Sequence, residues 1–138
     1  MNKYEVEKHM GLASETICKV YKQDKIDKDK IDKMMRSKMA AFGAMVLMSG
    51  VTPAIAYYSD NEPKIVELIS EMYLQNSLIN TPKDNVCTNK PVDFFNRIVM
   101  DMQTNGKPDC KKKQIVTEKI INYSISLKMA FNLFELTT

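Results

Sequence analysis

Residues whose types could do chemistry are few and widely spaced in this chain of 138 residues. General acid–base catalysis needs a histidine or two carboxylates on one wall of a pocket. The single histidine, His9, follows Glu5 by four residues, which could present two metal ligands on one helical turn, but no further ligand is tied to the pair. Glu67 and Glu71 share a helical face, and Asp27 and Asp29 lie among other charges. Neither setting is apolar enough to shift a carboxyl, so both read as solvated surface. Ser14, Ser37, Ser49 and Ser59 have no histidine in a motif. The phosphate-binding, dinucleotide, nucleophile-elbow and HExxH signatures are absent. The expectation is a non-enzyme with no catalytic residue, no metal, no cofactor and no small-molecule substrate.

Cation chemistry is better represented. Lys and Arg total 20 against 17 Asp and Glu, a net charge of +3, and only Arg36 and Arg97 are arginines. Lysine supplies point charges that follow a phosphate backbone, whereas arginine supplies the forks that read guanine. Any nucleic-acid binding is therefore expected to be sequence-independent. Two stretches are candidates. From Lys22 to Lys38 bases alternate with acids, a pattern that also suits a solvated helix laced with ion pairs. The second is Lys107 with Lys111, Lys112 and Lys113, at a helix start where backbone N–H groups and the dipole favour anions. Tyr57 with Tyr58, or Phe94 with Phe95, could stack bases, though no lysine interleaves them.

The elements that must position these residues read as helices. Four glycines and five prolines are too few for a many-turned sandwich. Residues 3–22 place Val6, Met10, Ala13, Ile17 and Val20 or Tyr21 on one face. Ile26, Ile31, Met34 and Met35 suggest a second helix that begins after an Asp cap and runs on through the basic stretch. Ala40 to Ser59 is apolar on nearly every side and reads as a buried helix pair, restarted at Thr52-Pro53. Pro63 opens a helix with Ile65, Leu68, Ile69, Met72 and Tyr73 inward. Residues 78–90 read as a polar loop, and Pro91 opens the next helix. Asn105-Gly106 marks a turn before a last helix over about 114–136, with Ile115, Ile120 or Ile121, Ile125, Leu127 or Lys128, Phe131 and Phe134 inward. The fold class is all-α: residues 1–138 form one bundle of five to six helices, without strands.

Three cysteines make no framework. Cys18 is expected in the core, and Cys87 with Cys110 could pair. The uncharged run from Met39 to Ser59 is long enough to cross a bilayer. Ser49, Thr52, Pro53 and its two glycines dilute it, so the buried pair is preferred. MNKYEVEKHM mixes acid and base with no apolar run behind it, and a cytoplasmic location is expected. Eleven methionines are an excess that fits core gap-filling or an adaptable binding surface.

One stretch is familiar. Ser49-Gly50-Val51, then Ala54-Ile55-Ala56-Tyr57-Tyr58-Ser59, resembles the Asn-Gly-Leu … Leu-Ala-Phe-Tyr-x-Ser stretch of the small helical subunit of type III-B CRISPR (Cmr) RNA-targeting complexes. Arg36-Ser37-Lys38 before Ala40-Ala41, and the closing Ala130-Phe131-Asn132-Leu133-Phe134, are similar to that family too. Asp60, Asn61 and Glu62 stand where the family tends to carry lysine, and the chain ends Glu135-Leu136-Thr137-Thr138 rather than basic. The resemblance implies a non-catalytic subunit that stacks along a guide RNA–target RNA duplex beside other subunits of the effector complex. Lys111, Lys112, Lys113, Lys33, Arg36 and Lys38 would then hold the phosphate backbone. The rival reading is a small protein-binding adaptor, of a viral or mobile-element kind, that uses a methionine-rich surface and binds no nucleic acid.

Overall fold

The computed structural model describes residues 3–23, 30–32, 34–77, 91–133 and 135–137. The fold is all-α. Its helices are α1 (Lys3–Gln23), α2 (Met34–Ser49), α3 (Val51–Asn61), α4 (Pro63–Ser77), α5 (Pro91–Asp101) and α6 (Cys110–Ala130). Among the described residues four very short strands accompany them: β1 (Lys30–Asp32), β2 (Gln103–Thr104), β3 (Lys107–Pro108) and β4 (Glu135–Thr137).

Helix α4 lies at the centre and touches all five other helices. Ile65, Leu68, Ile69, Met72 and Tyr73 are buried as the spacing predicts, and Val66, Ser70 and Glu71 are buried with them. Burial of Glu71 corrects the expectation of a solvated pair with Glu67. Position 71 lies on the side of α4 that the other helices cover, and the Glu71 carboxylate meets Lys19 Nζ of α1 at 3.1 Å. Glu67 pairs locally with Lys64 at 3.5 Å.

Helix α6 runs antiparallel to both α1 and α2. Against α1, the Ser126 hydroxyl donates to the Val6 carbonyl at 3.1 Å. One turn along, the His9 ring stands edge-on to Tyr123 at 5.1 Å. Against α2, Arg36 donates to the Asn132 side chain, and farther along Gly43 faces Ser124. The inward line of α6 is Val116, Ile120, Tyr123, Leu127 and Ala130. That is one residue off the predicted line at its start: Ile115 is exposed and Val116 is buried.

Tyr73 ties α4 to α5. Its hydroxyl donates to Asp101, which also accepts from Arg97 Nε at 3.3 Å. Burial first, then the bond to Asp101, pushes the Tyr73 phenol far above its ordinary value, so it stays protonated as a donor. Every buried side-chain nitrogen and oxygen among the described residues has a hydrogen-bond partner.

Other boundaries differ from the sequence reading for local reasons. The second helix does not extend back through the basic stretch; it begins at Met34, after β1, and residues 24–29 and 33 lie outside those described. The predicted loop over 78–90, with Cys87, also lies outside them. The last helix starts earlier, at Cys110, and stops at Ala130. A short 3-10 turn then follows, seating Phe131 in the core, and β4 pairs in parallel with β1, Ile31 opposite Leu136. That pairing joins residues 105 positions apart, which no local periodicity reveals. Strands β2 and β3 form a hairpin whose two central residues, Asn105 and Gly106, both have positive φ, as a two-residue I′ turn demands. Cys18 is exposed rather than core, because the buried line of α1 passes through Thr16, Ile17 and Val20 and turns Cys18 outward.

The predicted break in the apolar run is real. Gly50, at φ 98°, separates α2 from α3, and Pro53 sits in the first turn of α3, where its missing N–H costs nothing. Helices of 16 and 11 residues result. No helix among the described residues is long and apolar enough to cross a membrane.

Gly43 lets α2 approach α6. A Cβ there would meet the Ser124 Oγ at 2.9 Å, and that hydroxyl is held by the Ile121 carbonyl. Gly43→Ala gains about 1 kcal/mol of helix propensity and loses about 2 kcal/mol to overpacking. A net destabilisation of about 1 kcal/mol is expected in denaturant unfolding. In a Ser124→Ala background the same change should become stabilising; equal effects in both backgrounds would contradict the close approach.

Candidate functional site

The structure places Lys111, Lys112 and Lys113 at the start of α6, and Arg36 and Lys38 on α2. Asp109 caps α6, its carboxylate accepting from the backbone N–H of Lys111 at 3.0 Å and of Lys112 at 3.2 Å. The hydrogen bond from Thr104, then that from the Lys112 backbone, holds the Asp109 carboxyl below its ordinary range. A depressed carboxyl stabilises the fold above its unfolded pKa and loses that contribution as pH falls through the folded value. The anion site expected at this helix start is therefore filled by the chain's own carboxylate.

Around that cap, Lys111 and Lys113 are exposed and carry no ion pair among the described residues, and Lys107 is exposed on β3. Lys112 Nζ donates to the Gln103 carbonyl at 3.1 Å, which stitches the hairpin to the helix. The other predicted residues are elsewhere. Arg36 reaches Asn132, beyond the opposite end of α6, about 30 Å from Lys111 at 1.5 Å per residue. Lys38 is engaged by Glu62 at 3.1 Å. Lys33 lies outside the described residues. The structure thus gathers Lys111, Lys112 and Lys113 with Lys107, and sets Arg36 and Lys38 apart from them.

The aromatic pairs also separate. Tyr58 is buried with its ring edge-on to Phe42 at 5.2 Å, leaving Tyr57 outside. Burial, then Tyr57 and Glu62, raises the Tyr58 phenol above its ordinary value. Phe94 is likewise core, and Phe95 is half-buried against it.

A second surface lies where the sequence reading placed a buried helix pair. Helix α2 buries Met35, Met39, Phe42 and Val46. Its opposite face is also apolar: Ala41 and Ala44 are exposed, Leu47 is 70% exposed and Met48 87% exposed. This corrects the reading of residues 39–59 as a wholly buried pair. Beside that face, between α2 and α6, runs an open apolar groove of about 230 Å³. Ala40, Gly43, Ala44 and Leu47 line one wall; Ile121, Ser124, Ile125 and Lys128 line the other. The signal was available in the chain. A helix apolar on all sides, in a domain this small, exceeds what one core can cover.

Among the described residues no group of three or more His, Cys, Asp or Glu could hold a metal ion. Cys110 is a free, exposed thiol at the start of α6. No family model, no curated protein and no solved structure matches the chain.

Proposed function

We propose that this protein is a non-catalytic interaction subunit, and that it docks onto another polypeptide through the outward face of α2. The observation that carries this reading is the pairing of Leu47 and Met48, both largely exposed, with a helix that bears no charge from Met39 to its end. Single exposed apolar residues are ordinary, but a contiguous apolar face beside a groove marks an interaction site. Methionine suits such a surface because its unbranched side chain repacks against a partner.

A second reading, favoured by the exposed lysines around the start of α6, adds RNA. On this reading the chain is a small subunit of a type III CRISPR ribonucleoprotein. The apolar face of α2 meets neighbouring subunits, and Lys107, Lys111 and Lys113 lie against the phosphate backbone. The support is the resemblance at residues 49–59 together with the lysine cluster. Lysine contacts of this kind carry no sequence information and weaken steeply with salt.

Each part has its own test. A photo-crosslinking residue at position 48, in cells expressing the chain, should yield a polypeptide adduct that Ala44→Glu suppresses and that position 15 on α1 does not give. Absence of any polypeptide adduct at position 48 would overturn the docking reading. For RNA, fluorescence anisotropy at low salt should show binding that Lys111→Ala, Lys112→Ala and Lys113→Ala together weaken about tenfold or more, with a shallower salt slope. Unchanged titration curves would remove the RNA reading and leave the adaptor.

A further inference from the structure

Resting on the protein-docking reading, we propose that the occupant of the α2 face is a second copy of this chain. The two α2 helices lie antiparallel about a two-fold axis beside Ala44.

Side-chain size is the first argument. On the outward face the large residues, Leu47 and Met48, lie toward the C-terminal end of α2, and the small ones, Ala40 and Ala41, toward the N-terminal end. Antiparallel pairing about Ala44 sets Leu47 against Ala41 of the other copy and Met48 against Ala40. Large then meets small on both sides of the axis, as a self-complementary two-fold interface requires. Ser37, Ala40, Ala44 and Leu47 also follow the alternating three–four spacing of a two-helix seam, and small residues there let the helix axes come close.

Charge is the second. Arg36 is already held on its own chain, donating to Asn132, and stays outside the contact. From Met39 to Ser59 the chain has no charged residue, so the two faces meet without like charges opposed.

Area sets the strength. A contact one helix wide falls short of the ~800 Å² per partner typical of a permanent interface, so the dimer is concentration-dependent.

Sedimentation velocity on the full chain, over a wide concentration range, tests this. The expected result is a shift from the 15.8 kDa monomer toward twice that mass as concentration rises. Ala44→Glu, an exposed change to a good helix former, should abolish the shift while circular dichroism stays the same. A monomer at every concentration, or a dimer that survives Ala44→Glu, would overturn the proposal. If the chain stays monomeric while a photo-adduct forms at position 48 with a different polypeptide, the docking reading stands and the second copy is wrong. Adducts with lipid alone would end both.

Discussion

The structure depends on how closely α2 can lie against α6. Gly43 supplies the space, and Ser124 occupies it, with its hydroxyl held by the α6 carbonyl of Ile121. That approach lets Met39, Phe42 and Val46 sink into the core beside the central helix α4. It also fixes the rotation of α2 about its axis. Once the bulkier inward stripe is seated, Ala44, Leu47 and Met48 have nowhere to go but outward. The exposed apolar face is thus a consequence of the core's geometry.

Two surfaces of opposite character result. The lysines at the start of α6 are held by a compact device: the Asp109 cap, the Asn105-Gly106 turn and the bond from Lys112 to the hairpin. Their positive charge is fixed in place but remains solvated, and it attracts anions weakly and without directional choice. The α2 face has no charge to solvate it, and covering it removes apolar area from water, the larger driving force per residue. The ranking of protein docking above RNA contact follows from that difference.

Much of the fold was legible in the chain because it is written in local periodicity. Prolines at 63 and 91 mark the starts of α4 and α5, and the inward residues of α1 and α4 follow the 3.6-residue spacing. What escaped was non-local. The partner of Glu71 lies on a helix fifty-two residues away, and β1 finds β4 across nearly the whole chain. Cys18 and Ile115 each sit one residue from a buried position, within the error of reading a helical face from short apolar runs. The candidate surface was half legible. The lysine run was visible as such, but its capping carboxylate was not recognised as the occupant of the helix start. The alanine-rich segment looked buried because apolar composition says that a helix needs covering, not which molecule covers it.

Methionines offer the most direct measurement of the central claim, that α2 has one face in the core and an equally apolar face open in the single copy. Hydroxyl-radical footprinting of dilute protein reads them individually by mass spectrometry. Met48 should oxidise as readily as the exposed Met100, while Met39 on the inward face and Met72 on α4 stay protected. As concentration rises, Met48 alone of the exposed pair should become protected. Met48 as slow as Met39 in dilute solution, or Met39 as fast as Met48, would contradict the account.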